Sequence, residues 1–327
     1  MSSGDEEELQ SLPGERGWVD RCAVPGKRRV RLQADGVDIP VLLVAGPSAG
    51  RTLVVTAAVH GDEFEGVRAL QELYDELDPS TMRGRLIAVP VTNMPAYEAA
   101  ARRSPLDDAD LARTFPGRPD GAPSERLAYL VAESIISLAD FYVDLHSGGV
   151  RYRMPTMVGY EAGDERAAAA ARIFGAPVHW MHDEIPPGRT VSYARSKGIP
   201  WLYTEAAGAG RIAAGDLAMM KRGVRRLLQH LEITPCEESL EGDVVPLSLR
   251  GDGNTDAGIE AGADGLLHAR VELLDMVNAG DLLGELRDPF GRIVERYLAP
   301  RDGVVALVHE FARVRRGESL FLLAEKV

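Results

Sequence analysis

Between about Val30 and His230 the chain alternates short apolar runs with amphipathic stretches, and this restricts it more than any other feature to a layered α/β domain. The strand candidates are LQADGVDIPVLLVAG, LVVTAAV, GRLIAVPVTN, DFYVDLH, TMVGY and IPWLYTEA. Helical period predicts helices over residues 65–77, 124–138, 164–174 and 216–231; in the first, Val67, Leu70, Leu73, Tyr74 and Leu77 fall on one face. The segment from 93 to 126 is rich in Pro, Asp, Gly and Arg and is too long for an ordinary connection, which marks it as a functional loop.

The pattern changes after Pro235. The stretch EESLEGDVVPLSLRGDGNTDAG has no helical period, and beyond it short strands are separated by turn signals at 287–291, 300–303 and 315–317. Val277-Asn-Ala-Gly280-Asp281-Leu-Leu283 recurs as Val314-Arg-Arg-Gly317-Glu318-Ser-Leu320, an internal repeat suited to a small two-fold β barrel or sandwich. This part resembles a biotinyl/lipoyl type of domain, whose modified lysine would sit on the hairpin at 288–292. No lysine is there, and Lys326 is the only one in the tail. The tail is therefore assigned to packing, oligomerisation or shaping the active-site entrance. The expected organisation is a disordered acidic tail over 1–27, a catalytic domain over 28–235 with a mixed central sheet flanked by helices, and a β-rich domain over 236–327.

Charge narrows the class of partner. A net charge of -13 argues against nucleic acid, because a surface that neutralises phosphates needs clustered cations. No stretch approaches about 18 consecutive apolar residues, so no membrane span is expected. The start, MSSGDEEEL, lacks the apolar segment of a signal peptide, and a cytoplasmic location is expected. Cys22 and Cys236 are far apart, without cysteine or histidine at metal-ligand spacing, and are read as free thiols.

The chemistry concentrates where apolar runs stop. LVVTAAV ends at His60, and Glu63 follows after two intervening residues; DFYVDL ends at His146. Two ligands separated by two residues, with a third far downstream, have the spacing of a catalytic zinc site that leaves one position for water. Asp62 and Glu65 compete as carboxylates in the same loop, and spacing alone does not exclude them. Asp144 shares a strand face with His146 and is a candidate to hold its second ring nitrogen. Glu205 follows the apolar run IPWLYT and precedes a small-residue loop, the position of a general base. Arg102, Arg103 and Arg113 on the long loop are candidates to bind an oxyanion or a carboxylate. His179 and His182 form a second, weaker pair, better suited to lining a pocket than to holding metal.

Taken in order, these motifs resemble the succinylglutamate desuccinylase/aspartoacylase family of zinc carboxypeptidase-like hydrolases. His60-Gly-Asp-Glu63 matches its first ligand pair, Asp144-Leu-His146-Ser147 its third ligand, and Thr204-Glu205-Ala-Ala-Gly its catalytic glutamate. Asn93, Arg103-Ser-Pro and Asp110-Leu-Ala-Arg113-Thr-Phe-Pro-Gly match its substrate-binding loop. The resemblance implies one Zn2+ per chain, a carbonyl-polarising Arg103, and substrate contacts from Arg113 and Asn93; Arg102 is a further substrate-contact candidate from its place on the loop. The family's usual Asn-Arg pair is Ala112-Arg113 here, which leaves the ligand open. HGDEFEG, DLHSGG and DPFG look most like the deacetylases of ectoine breakdown. The function expected is removal of an acyl group from an N-acylated amino acid or a related small molecule by a possible homo-oligomer. A metallocarboxypeptidase acting on peptides and a non-catalytic binding protein on the same fold are the rival readings.

Overall fold

The computed structural model describes residues 6–10, 17–21, 24–34, 37–236, 245–251, 254 and 258–327. At its centre Ser48–Ala57 lies parallel to both Arg83–Val89 and Phe141–Leu145, and Trp201–Glu205 continues in parallel beyond Phe141–Leu145. Strand period separates the side chains onto two faces. Leu53, Val55, Phe141, Val143 and Leu202 pack under the helices Glu65–Glu76, Glu165–Phe174 and Ala214–His230. Val54, Tyr142 and Trp201 pack under Pro123–Ser134 and Thr190–Ser196. Burial on both faces is why these runs are almost continuously apolar. Each fully buried Leu, Val or Phe among them contributes about 1.5–3 kcal/mol relative to exposure.

The four expected helices are present with shifted ends. Asp164 begins Glu165–Phe174 by accepting hydrogen bonds from the backbone N–H groups of Arg166 and Ala167, and Gly175, with φ of 76°, ends it in the left-handed region. The third expected helix therefore starts one residue later than its polar cap. Residues 124–138 divide into Pro123–Ser134 and a 3-10 turn, Ile136–Leu138. The short helices Met94–Glu98 and Thr190–Ser196 went unread, because one or two turns carry too little apolar periodicity.

Two further expectations are corrected. LQADGVDIPVLLVAG is not one strand: Gly26–Ala34 and Val37–Ala45 pair antiparallel, and residues 35–36 between them lie outside the described residues. The unstructured segment expected over 1–27 is also too long. Glu6–Gln10 pairs in parallel with the strand Gly26–Ala34, and Trp18–Arg21 forms a helical turn. Trp18 is buried, and its indole donates to the Ser134 carbonyl at 2.7 Å. Two apolar side chains, Trp18 and Val19, anchor this otherwise polar stretch to the core. Cys22 lies outside the described residues, and Cys236 is exposed.

The large sheet continues across the boundary expected at 235/236. Leu247–Arg250 pairs parallel with Val178–His182 and antiparallel with Ser319–Lys326, which in turn pairs with Gly303–His309. A separate four-stranded antiparallel sheet runs in the order Ile293–Leu298, Leu282–Arg287, Gly265–Ala269, Arg313–Val314. Its core includes Leu267, Leu283, Leu286, Val305 and Phe321. The sequence repeat reappears as two equivalent turns. Asn278 N–H donates to Asp281 Oδ2 at 2.7 Å, and Arg315 N–H to Glu318 Oε2 at 2.8 Å. Gly280 and Gly317, both left-handed, donate to Ala299 and Ala261 at 2.8 Å each.

Candidate metal centre and substrate pocket

Three parallel strands end together in register, Thr56 opposite Asp144 and Asp144 opposite Tyr203. The loops that follow them bring His60, Glu63, His146 and Glu205 to one sheet edge, the location at which open α/β sheets place ligands. Glu63 is the hub. Its Oε1 meets His60 Nδ1 at 2.7 Å, and its Oε2 meets His146 Nδ1 at 2.9 Å and the Ser147 N–H at 3.2 Å. Ligand atoms from His60, Glu63 and His146 all lie within 4.8 Å of one another. Asp62 and Glu65 do not join this group. Asp62 Oδ2 accepts the Val150 N–H at 3.2 Å, and Glu65 Oε1 accepts the Gly208 N–H at 3.0 Å, so both carboxylates fasten neighbouring loops.

Each histidine has a second carboxylate behind it. His146 Nε2 lies 2.9 Å from Asp144 Oδ2, which also accepts the Thr190 hydroxyl at 2.5 Å, while Asp144 Oδ1 accepts that of Thr56 at 2.7 Å. His60 Nε2 lies 3.1 Å from Asp110 Oδ1. Two imidazoles aimed by their Nδ1 atoms at one carboxylate, each fixed through Nε2 by another, form the donor set and the outer support of a zinc site. The residues present therefore fit that metal. The motif that begins at Asp110 points to the substrate loop and not to a contact with His60. A carboxylate 50 residues from its histidine leaves no spacing signal, whereas Asp144 beside His146 does.

Burial and charge act in opposite directions across this group. Burial disfavours ionised Glu63, yet the two imidazoles outweigh it and hold the carboxyl well below its usual range. Burial and Arg102 oppose protonation of His60, but Glu63 and Asp110 raise its pKa; burial opposes it in His146, and Asp144 with Glu63 raise it further. Glu205 is different. Burial and then the charge of Glu63 push its carboxyl up to about 8, and its Oε2 is buried without a hydrogen-bond partner among the described residues.

A cavity of roughly 750 Å3, including solvent at its mouth, opens over these groups. Arg102 lines it, with Nε 3.5 Å from Asp110 Oδ2 and a terminal nitrogen 3.8 Å from Glu63 Oε1. Arg113 and Ala112 line it as well, as do Tyr152, Arg189, Tyr203 and, from the C-terminal part, Leu307. Two expected site residues lie elsewhere. Arg103 is exposed and donates to the Asp108 carbonyl at 3.1 Å, because adjacent residues in this loop diverge and only Arg102 turns inward. Asn93 is fully buried; its side chain accepts the Ala96 N–H and donates to the Val59 carbonyl, both at 3.3 Å, and so caps a helix. Of the weaker pair, His182 lines the cavity, while His179 is buried beside Tyr160, and desolvation lowers its pKa to about 4.

Comparisons with known proteins agree with this geometry. Residues 49–231 match the succinylglutamate desuccinylase/aspartoacylase catalytic domain. The chain is 32% identical over 299 residues to the N-alpha-acetyl-L-2,4-diaminobutyric acid deacetylase of Halomonas elongata, covering 89% of this chain and 86% of the relative. The product-bound structure of the ectoine utilization protein EutE (DoeB) from Ruegeria pomeroyi superposes with a TM-score of 0.81 at 30% identity, covering 93% of this chain and 97% of that one. A succinylglutamate desuccinylase from Silicibacter sp. TM1040 gives a TM-score of 0.80 at 31% identity over 92% and 94%. With its catalytic domain matched over more than half the chain and a relative aligned along most of its length, the protein belongs to the succinylglutamate desuccinylase/aspartoacylase family.

Proposed function

We propose that the protein is a zinc-dependent deacylase that hydrolyses the amide of an N-acylated amino acid or a related small molecule. The observation that carries this reading is the buried Oε2 of Glu205, which has no hydrogen-bond partner among the described residues, in the same cavity as the His60, Glu63 and His146 cluster. A zinc ion held by those three residues would supply a Lewis acid that lowers the pKa of water from about 15.7 toward about 7 and polarises a carbonyl.

The chain's own groups supply the rest. Glu205 takes a proton from the attacking water and returns it to the leaving nitrogen, a transfer suited to a carboxyl poised near neutrality. Arg102 takes the oxyanion role that the family resemblance implied for Arg103, since Arg102 lines the cavity and Arg103 is exposed. Arg113 is the guanidinium for the substrate carboxylate. Its fork can bind both oxygens, and Ala112 beside it leaves space that an asparagine would fill. The products are a carboxylate and a free amine.

The test combines metal analysis of the purified protein with hydrolysis of acetyl, succinyl and formyl amino acids and of short peptides. Stoichiometric zinc with turnover of acyl amino acids is expected. Turnover of peptides alone, or none on the whole acyl series by zinc-loaded protein, would overturn the reading.

A further inference from the structure

Asp110 is the point at which the candidate metal centre and the long loop share one side chain. Its Oδ1 lies 3.1 Å from His60 Nε2 and also accepts the Ala112 N–H at 2.9 Å, while its Oδ2 faces Arg102 Nε at 3.5 Å. The main chain of the same residue is engaged as well. Its carbonyl accepts the Arg113 N–H at 3.0 Å and the Thr114 hydroxyl at 2.8 Å. Asp110 therefore caps the 3-10 turn Leu111–Arg113, whose Ala112 and Arg113 line the cavity.

One carboxylate that serves a metal ligand and a helical turn ties the two together. With only three residues in the turn, the path of Arg113 into the cavity is set by the cap. Burial disfavours the ionised carboxyl of Asp110, but His60, Arg102 and Arg113 outweigh it and hold it well below its usual range, so the Arg113 charge is within electrostatic reach. A metal held by the His60, Glu63 and His146 cluster draws electron density out of the His60 ring and makes Nε2–H a stronger donor to Asp110. Hydrogen bonds that share a buried group polarise one another, so a firmer bond to His60 steadies the carboxylate that aims the turn.

We infer that Asp110 is a positioning residue that couples metal uptake to the grip of Arg113 on a substrate carboxylate, each strengthening the other. The inference rests on the deacylase reading and adds a linkage between its two binding events. Such coupling is reciprocal: by whatever factor the metal tightens the carboxylate, the carboxylate tightens the metal. Arg189 also lines the cavity, and it donates to the Pro186 carbonyl at 3.3 Å and to Asn254 Oδ1 at 3.2 Å. A carboxylate seated on Arg189 would bypass the turn that Asp110 caps, so the two seats give different outcomes.

The experiment measures zinc affinity by chelator competition in the presence of either of two ketones that hold no amide to hydrolyse. They are 4-oxopentanoate, which is N-acetylglycine with CH2 in place of NH, and 5-methylhexan-2-one, in which an isopropyl group replaces the carboxylate. In wild type, 4-oxopentanoate is expected to tighten zinc by about 5- to 20-fold more than the neutral ketone. Arg113→Ala should remove that difference and Arg189→Ala should keep it. Asp110→Asn, which retains an acceptor for the Ala112 N–H and so the turn, should lose most of it, and Asp110→Ala the rest. Each variant is scored by the ratio between the two probes, so a metal site that is merely weakened leaves the score unmoved. Equal effects of the two ketones on wild type, or a difference kept in full by Asp110→Asn, overturn the inference. So does a difference that survives Arg113→Ala and vanishes in Arg189→Ala. A wild type that takes up no zinc would instead count against the deacylase reading.

Discussion

Two carboxylates, one in each half of the molecule, are surrounded by bases and held below their usual pKa range, yet their settings differ completely. Glu63 lies buried at the edge of the central sheet between His60 and His146. Glu285 lies on the small C-terminal sheet, where Arg287 at 2.7 Å, Arg296 at 3.2 Å and Arg270 at 3.3 Å converge on it and hold its carboxyl at about 2. Around Glu63 the bases can exchange protons or bind metal, and a cavity gives access. Around Glu285 they are permanently charged guanidiniums that point toward solvent. A cluster of opposite charges therefore indicates chemistry only when its cations can give up a proton and a cavity reaches it.

Substitutions test that contrast. The largest effect is expected from His60→Ala combined with His146→Ala, which should abolish zinc binding and lower kcat/KM by roughly a thousandfold or more, since a metal supplies several kcal/mol of charge stabilisation. Zinc content surviving the pair, measured by elemental analysis, would show that the metal sits elsewhere. Next is Glu205→Gln, expected to lower kcat by about 10²–10⁴ while zinc and the melting temperature are kept. Unchanged turnover would remove Glu205 from the mechanism. Asp110→Asn and Asp144→Asn should each weaken zinc about 10- to 100-fold in a chelator competition, and equal effects would confirm that the two histidines are held alike.

The smallest effect belongs to the other cluster. Glu285→Gln should leave acyl hydrolysis unaltered and lower the melting temperature at pH 7 by no more than about 3 °C, because Glu285 is buried but its arginine partners reach solvent, which screens the pairs. The sign with pH follows from the depressed carboxyl. Its contribution is fully present above the ordinary value of 4.5 and disappears as pH falls through about 2. Melting curves of wild type and variant should therefore converge between pH 4.5 and 2. A difference that persists at the acid end would mean that the three arginines hold the sheet by packing.

How much of this was legible in the sequence differs from residue to residue. His60, Glu63 and His146 could be read because each follows a strand, and a buried strand writes itself as an apolar run with a definite end. The helix Glu65–Glu76 could be read from one apolar face, and the repeat in the tail from its spacing. Arg102 and Arg103 could not be told apart, because neighbouring loop residues have no period to say which one turns inward. Asn93 looked like a ligand residue and is a helix cap, since an amide serves both purposes equally well. Glu6–Gln10 and Trp18 were hidden in an acidic segment whose composition outweighed two apolar anchors.

Patterns along the chain were enough to fix the α/β layering and the three strand ends that bring His60, Glu63, His146 and Glu205 together, all of which depend on local periodicity and short spacings. Only the tertiary structure decided that Asp110 supports His60, that Arg102 rather than Arg103 enters the cavity, and that Leu307 from the C-terminal part helps to close it. These contacts join segments tens of residues apart, and their free energy comes from geometry across strands and loops that no pattern along the chain records.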